Sequence, residues 1–392
     1  MRTALRILAA GLALAMTLSA SGCWDSREVN SLFIVTGMAI DVGEQPGQAR
    51  FTAQIARIAP SANAGGGSGG SGGGSPVILL GTDADTALNA LANFDRMTSR
   101  TPYLHHNQVV AFGADLAERG IEPYIDFMLR DHESREELPL IITEGKAADV
   151  LSAEMDQDRV SGTFLARLLA DMGEISKYYN VRVFDFASLL LDGFSSAVVP
   201  IVQLVDQGGK ANIEMSGMAV FKGGKMVGRL SLAEAQGFIW AMGEVNKCIV
   251  SVTTEKGVAN MYILDISTRR TMEVSPDGTV AAHLRVTANL VLGEALGFEG
   301  MCIEELLPYL TEQTQRMLCS RIIDCVYRAR AMDADIYRFS ETLHRQHPQV
   351  WHSMSARWNQ AFREVVVRVE AQANIRETGQ IVQSLEMEDG RP

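Results

Sequence analysis

The chain has 392 residues, of which 47% are hydrophobic, and its formal net charge is -12. A length of this size predicts two or three domains with ordinary hydrophobic cores. A body this acidic is repelled by nucleic acid and by anionic lipid headgroups, so we expect neither to bind it through charge.

The first 23 residues predict an exported protein with a lipid anchor. Arg2 and Arg6 precede an apolar run over residues 7–18, and small residues at 19–22 separate this run from Cys23. The apolar run is too short for a comfortable membrane span and is typical of a secretory signal peptide. A cysteine directly after the small residues resembles a bacterial lipoprotein signal, in which the cysteine takes a diacylglyceryl group and becomes the new N-terminus. We therefore predict that Cys23 is lipidated.

One position departs from the usual lipoprotein pattern. Leucine commonly stands three residues before the lipidated cysteine, where this chain has Ala20. The alternative is ordinary signal-peptidase cleavage near Ala20, which leaves Cys23 as a free thiol. We favour lipidation, and two acyl chains suffice for stable attachment at about 0.8 kcal/mol per buried methylene. Without residues 1–22 the chain keeps 33 of its 35 basic residues and all 47 acidic residues, a net charge of -14.

Hydrophobic patterning predicts a mixed α/β region over residues 23–206. After a polar tether at 24–30, the apolar runs predict strands at 32–42, 51–58, 108–112, 139–143 and 198–205. Helical spacing predicts helices at 86–97, 121–130 and 147–153, with mixed helical character over 160–190. In the second strand Thr52 and Gln54 are expected on the polar face. In the first helix Leu88, Leu91 and Phe94 are expected to share the apolar face.

A run of glycine and serine at residues 65–75 cannot pack and predicts a flexible segment. It suits either a linker between two domains or an expanded loop inside one domain. We favour the loop, because only two predicted strands precede it and an isolated hairpin has no core to bury. The run contains no lysine and no Gly-Lys-Ser/Thr ending, which argues against a phosphate-binding loop.

Residues 207–392 predict an antiparallel sheet packed by long helices. Strands at 213–222 and 225–230 flank a Gly223-Gly224 turn, which is typical of a β-hairpin. Ser231 and Glu234 form a capping box that predicts a helix to about residue 242. Further strands are predicted at 245–253, 258–266, 270–274 and 281–292. The last of these is expected to bury Leu284, Val286, Ala288 and Leu290 and to expose His283, Arg285, Thr287 and Asn289.

The end of the chain predicts two helical stripes and a final strand. The first stripe consists of Leu307, Thr311, Thr314, Leu318, Ile322, Cys325 and Ala329; the second, after a break at Pro348, consists of Val350, Trp351, Met354, Trp358 and Phe362. Residues 365–375 alternate between apolar and polar side chains, as a strand does. We expect this strand to join the hairpin of residues 213–230 in one sheet.

Four cysteines follow Cys23 in the chain. Cys319 and Cys325 are six residues apart on a predicted helix, a separation of about 9 Å along the axis. This exceeds the roughly 7 Å limit for a disulfide, so these two should not pair. A bridge from Cys248 or Cys302 to either of them stays open, and we favour free buried thiols.

The residues give no catalytic or metal-binding constellation. His105 and His106 are predicted to lie on a strand and to point to opposite faces, so they cannot share one metal ion. The acidic side chains of the segment after residue 130 lack calcium-loop spacing; they are Asp131, Glu133, Glu136 and Glu137. Arg130 with Asp131 and Arg135 is expected to form a structural ion-pair cluster. We therefore predict a protein that is not an enzyme and that uses no cofactor or metal.

Several segments, in matching order and spacing, carry a resemblance to a known family. They are residues 23–30, 34–41, 106–113, 120–131 with Arg135, 217–230, 335–339 with Trp358 and Phe362, and 365–375. Together they resemble the C-subunit lipoproteins of bacterial spore germinant receptors over nearly the whole chain after residue 22. The Gly/Ser stretch at 65–75 is longer than the family pattern suggests.

The resemblance implies an α+β fold of three mixed α/β domains, with Cys23 as the lipid attachment site. It implies a position on the outer face of the spore inner membrane, beside integral-membrane A- and B-type receptor subunits, in receptor assembly or signalling. Binding of the small-molecule germinant by this subunit is not expected. The alternative is a lipid-anchored solute-binding protein of a transporter, but such proteins usually have two lobes with βα repeats, unlike the antiparallel second half predicted here.

Overall fold

The computed structural model describes residues 2–4, 6, 11, 32–57, 75–155, 158–174 and 179–376. Within the last of these ranges, residues 244, 246 and 299 are not described. Cys23, the tether at 24–30 and residues 65–74 of the Gly/Ser stretch lie outside the described residues, so the predictions for them stay predictions. The described chain confirms the predicted mixture of helices and sheets, arranged around two separate sheets.

The first sheet, which we call sheet 1, has nine strands. They are β1 (Leu32–Val42), β2 (Ala49–Ala56), β3 (Val77–Ala84), β4 (Thr101–Tyr103), β5 (Val110–Gly113), β6 (Leu140–Thr143), β7 (Ala197–Asp206), β8 (Ala211–Lys222) and β9 (Lys225–Leu230). Their order is β3-β2-β1-β5-β6-β7-β8-β9, and β4 pairs with the start of β1. The central strands β1, β5, β6 and β7 are parallel, and antiparallel strands flank them on both sides.

The central strands are buried on both faces, as their continuous apolar runs predict for parallel strands. Phe112 and Ile142 pack into the core on one face, whereas Ala111 and Ile141 pack into the core on the other. The first face is covered by helices α1 (Ala87–Met97), α2 (Ala114–Arg119), α3 (Glu122–Arg130) and α6 (Val183–Asp192). The second face is covered by α4 (Ala147–Ser152) and α5 (Ser161–Glu174).

Two expectations about faces in this half are wrong. Thr52 and Gln54 are buried instead of solvated, because α4 and α5 cover their side of β2. Leu88 is 65% exposed, whereas Phe94 is buried as expected, Leu91 is half-buried, and Ala90 takes the place of Leu88 in the core. Local alternation therefore identified the strand and the helix but not which of their faces the neighbouring elements cover.

The sequence signals between residues 206 and 243 are confirmed as local structure. Gly223 adopts the left-handed conformation, with φ 59°, in the turn between β8 and β9. The capping box begins α7 (Leu232–Met242), where the Ser231 hydroxyl accepts from the Glu234 N–H and the Glu234 carboxylate accepts from the Ser231 N–H. β7 and β8 pair across residues 207–210, so sheet 1 continues past residue 206. The division into domains stays a prediction.

The second sheet, sheet 2, contains β10 (Cys248–Thr253), β11 (Val258–Val274), β12 (Val280–Leu296) and β13 (Val366–Arg376). β10, β11 and β12 are antiparallel, and β13 pairs with β12 in parallel. Residues 258–266 and 270–274 belong to one long strand instead of two. The expected pairing of the final strand with the β8–β9 hairpin is wrong, because alternation specifies which residues face the core but not which strand lies alongside.

Four helices pack with sheet 2: α8 (Ile303–Ala331), α9 (Phe339–Gln346), α10 (Pro348–Met354) and α11 (Trp358–Glu364). The predicted stripe of α8 is buried from Thr314 onward, but its first turns bury Leu306 and Leu310 instead of Leu307 and Thr311. The core here is continuous with the end of sheet 1, since α7 packs against β8, α8 and β11. None of the helices in the part of the chain described here combines the length and apolar character needed to cross a membrane.

Candidate functional site

The histidines and the charged segment singled out by the sequence are placed differently from the predictions. His105 and His106 lie in a 3₁₀ turn instead of on a strand, and the His105 ring stacks on Tyr103 with centroids 4.7 Å apart. Within the described residues, no three His, Cys, Asp or Glu side chains are grouped so that they could hold a metal ion.

The contacts of Arg130 also differ from the predicted ion-pair cluster. The Arg130 guanidinium contacts Asp126, one helical turn earlier, at 2.9 Å. Asp131 instead accepts a hydrogen bond from the Ser134 hydroxyl at 2.8 Å. Helical spacing explains the difference, because residues i and i+4 lie on the same side of a helix.

A buried carboxylate, Asp335, occupies the segment between α8 and α9. One of its oxygens accepts from the Phe339 N–H at 3.0 Å, and the other accepts from the Ser340 N–H at 2.8 Å and from the Trp358 indole N–H at 3.1 Å. The two backbone donors belong to the first turn of α9, where a negative charge complements the helix dipole. Asp335 therefore fixes the start of α9 and ties it to α11.

The same segment contacts the loop that leads from α6 into sheet 1. The Ser196 N–H donates to the Asp335 carbonyl at 2.9 Å, and the hydroxyl oxygens of Ser195 and Ser340 are 3.1 Å apart. Beside them Phe194 meets Trp351 edge to face, with ring centroids 4.9 Å apart. We call this set of residues, 194–196 with 335–340, Trp351 and Trp358, the joint, because it connects the two sheet-bearing parts of the chain.

The electrostatics of the joint favour a structural role. Burial raises the pKa of the Asp335 carboxyl above its ordinary value, and the N–H donors of Ser340, Phe339 and Trp358 oppose that rise. The carboxylate is only 2% exposed, and both of its oxygens are engaged by donors. A group that is enclosed and bonded in this way orients the backbone around it and does not meet a substrate.

A second buried polar network lies under α4 and α5. The Gln54 amide donates to the Leu151 carbonyl at 2.8 Å and to the Ser161 hydroxyl at 2.7 Å. Its carbonyl oxygen accepts from the Thr36 hydroxyl at 2.9 Å and from the Gly162 N–H at 3.0 Å. All four hydrogen-bonding positions of the amide are used, so this network fixes the two helices on sheet 1.

Asp41, at the end of β1, also fixes a helix on sheet 1. Its carboxylate accepts from the N–H groups of Ala147 and Ala148, at 2.7 and 3.0 Å, and so caps the N-terminus of α4. Burial raises the pKa of Asp41, while the two backbone bonds act in the opposite direction. Asp41 and Thr36 both belong to segment 34–41, which the sequence singled out.

The four described cysteines are free thiols, as predicted, but the expected burial holds only for Cys325. Cys325 is fully buried, and burial raises the pKa of its thiol to about 12, which makes it unreactive. Cys302 is exposed, whereas Cys248 and Cys319 are half-buried.

These geometries belong to a chain whose sequence matches a known family over both halves. Residues 25–204 match the family described as Spore germination protein N-terminal domain, and residues 216–379 match Spore germination B3/ GerAC like, C-terminal. The chain belongs to this spore germination protein family. The matched ranges contain Asp41, Gln54 and Asp335.

Individual spore germination proteins are similar to this family member over most of its length. Spore germination protein KC of Bacillus subtilis (strain 168) is 23% identical over 398 residues, covering 95% of this chain and 96% of that protein. Spore germination protein B3 of the same organism is 22% identical, and the match covers 89% of this chain and 92% of that protein. The crystal structure of the GerBC protein matches with a TM-score of 0.58 and 19% identity, over 86% of this chain and 96% of that one, which shows the shared fold.

The sequence singled out residues 335–339, Trp351 and Trp358 of the joint without identifying their roles, and it did not single out residues 194–196. Asp335 and Trp358 were matched to one family block, but the spacing of 23 residues gives no indication that they are bonded. A detectable signal for Gln54 and Asp41 was present, since each is a polar residue inside or directly after an apolar strand run.

Proposed function

We propose that this chain is the membrane-anchored lipoprotein subunit of a spore germinant receptor and acts by assembly or signalling, without catalysis. The observation that carries the proposal is the family match over both halves, residues 25–204 and 216–379. The relatives are full-length matches, so the proposal concerns the whole protein and not one shared module.

The anchor in this proposal is a lipid on Cys23, attached after removal of residues 1–22. The apolar run and the small residues before Cys23 support it, and so does the net charge of -14 that remains, which disfavours attachment through basic residues. The chain is placed on the outer face of the spore inner membrane. Its partners there are integral-membrane A- and B-type receptor subunits.

The non-catalytic part of the proposal is supported by the buried polar groups. Asp335, Gln54 and Asp41 are engaged by backbone and side-chain partners inside the fold. Groups that act as acids, bases or nucleophiles must reach a substrate, and these are enclosed instead. The burial of these groups is consistent with a protein that acts through surface contact with membrane partners.

The anchor is tested by replacing Cys23 with Ala in the full chain and separating membrane from soluble fractions. The variant should leave the membrane fraction and keep the unfolding midpoint of the wild type, because residue 23 precedes the first described strand. Ser21→Ala serves as the matched control, since it changes a neighbouring residue and leaves the cysteine. Retention of Cys23→Ala in membranes that lack the partner subunits contradicts lipid anchoring.

The receptor role is tested in spores. Deletion of the gene, in a strain without paralogues, should abolish the germination response to at least one nutrient, and the wild-type gene should restore it. Crosslinking in intact spores should join this chain to integral-membrane subunits. Unchanged germination with every nutrient and no crosslink to a membrane protein would overturn the role.

A further inference from the structure

The outward face of sheet 2 carries a basic groove with an unusual arrangement of charge. The groove is open to solvent, has a volume of about 120 Å³, and is lined mainly by the side of β11, β12 and β13 that points away from the helices. Its lining residues are Arg269, Thr271, His283, Leu284, Arg285, Arg368 and Glu370. In a protein of net charge -12, this is a local concentration of guanidinium groups.

Strand register places two arginines directly opposite each other in this groove, and a histidine opposite a third arginine. Arg269 on β11 is paired in register with Arg285 on β12, and His283 on β12 with Arg368 on β13. Like charges directly opposite on neighbouring strands destabilise a sheet, since their side chains are held about 5 Å apart. The Arg269–Arg285 pair therefore contributes an unfavourable interaction, which Glu370, opposite Arg285 on β13, offsets in part.

Two carboxylates neutralise the groove only in part. Glu370 lies 3.3 Å from Arg285, and Glu273 lies 2.8 Å from the His283 ring and 3.8 Å from Arg368. Along the described chain, no carboxylate lies within 4.0 Å of Arg269. Three guanidinium groups thus face two carboxylates, which leaves a positive charge in the groove.

The geometry points to a binding site for a small free oxyanion, a phosphate or a carboxylate, between Arg269, Arg285 and Arg368. The guanidinium fork presents paired N–H donors that match both kinds of oxyanion, and the Thr271 hydroxyl adds a further donor. The volume of the groove is several times the roughly 30 Å³ that one water molecule occupies in the liquid, so the groove has room for a small oxyanion. An anion bound between Arg269 and Arg285 attracts both guanidinium groups and so offsets their mutual repulsion.

This site is independent of the receptor role and of the anchor, and its test uses the purified full chain. Calorimetric titration with inorganic phosphate, and separately with succinate, is carried out at low ionic strength on the wild type, Arg269→Gln and Arg285→Gln. Arg119→Gln is the matched control, because Arg119 is an exposed arginine at the end of α2, outside the groove. The groove variants should bind on the order of tenfold more weakly or not at all, and the control should bind as the wild type does.

Two further measurements separate binding from a structural role. Without anion, Arg269→Gln should raise the unfolding temperature, because it removes one member of the like-charge pair. Glu273→Gln should bind the anion more tightly, because it frees Arg368 and the His283 ring from a competing carboxylate. Absence of binding by the wild type, equal affinity in all variants, or a lower unfolding temperature of Arg269→Gln would each overturn the site.

Discussion

Replacement of Asp335 by Ala tests whether the joint stabilises the fold as its geometry indicates. The substitution leaves three buried N–H donors, those of Phe339, Ser340 and Trp358, without their acceptor. Each unpaired buried donor lowers the stability by about 1–3 kcal/mol. Part of the total is offset, because the variant no longer buries a carboxylate away from water. We expect a loss of about 3–5 kcal/mol in the free energy of unfolding, the range typical of a broken buried polar network.

Two conservative variants separate the contributions of individual hydrogen bonds to this loss of stability. Asp335→Asn keeps the shape and one acceptor oxygen, so it should lose about 1–3 kcal/mol. Trp358→Phe keeps an aromatic ring and removes the indole donor, and it should lose about 1 kcal/mol from the bond together with a packing contribution. Asp324→Ala, which changes an exposed carboxylate on α8 bonded to Ser320 at 3.3 Å, is the matched control and should change the stability little.

The assay is urea unfolding followed by tryptophan fluorescence. Trp240, Trp351 and Trp358, three of the four tryptophans in the chain, are buried in the half that contains Asp335, so their fluorescence reports on that half. If Asp335→Ala unfolds with a free energy within about 1 kcal/mol of the control, the hydrogen bonds of the joint do not stabilise the fold and the reasoning is refuted.

Three further predictions follow from the buried groups. Because burial raises the folded-state pKa of Asp335, the native state binds its proton more tightly than the unfolded chain. The stability of the wild type relative to Asp335→Asn should therefore rise as the pH falls from 7 toward 4 in urea titrations. Cys302 should react with a thiol reagent in the native protein, whereas Cys325, with a pKa of about 12, should react only after unfolding. Gly237→Ala should destabilise by about 1–3 kcal/mol, because its Cβ would lie 2.3 Å from the Arg321 carbonyl oxygen of α8.

Each of these has an outcome that contradicts it. A fall in the relative stability of the wild type on acidification would mean that the pKa of Asp335 is lowered. Rapid labelling of Cys325 in the folded chain would contradict its burial. For Gly237 the control is Gly145→Ala, where an added Cβ meets nothing within 4 Å, and equal stability of the two variants would contradict close packing of α7 on α8.

Local structure followed from the sequence wherever one short segment held the whole signal. β1 was predicted with its observed bounds, and the capping box and the Gly223 turn were confirmed as local structure. The stripe of α8 from Thr314 onward was also correct. In each case the chemistry involved residues within a few positions of one another, so no distant partner was needed to recognise it.

Partners distant in the chain could not be predicted from the same patterns. The alternation in β13 fits any sheet with one covered face, and only the packing of α8 and the other helices places it parallel to β12 instead of beside the hairpin. The wrong expectation for Gln54 has the same origin, since a polar residue in a strand faces solvent unless another element covers it and satisfies its amide.

Sequence patterns alone indicate most of the local elements, predict an export signal over residues 1–22 before Cys23, and carry the resemblance to a family that the matches then showed. The tertiary structure alone decided that Asp335 receives donors from two helices and that Arg269 faces Arg285 across two strands. The difference follows from how far apart in the sequence the interacting residues lie. Turns, caps and periodicity depend on neighbours in the chain, whereas buried hydrogen bonds and strand register depend on residues that only the folded chain brings together.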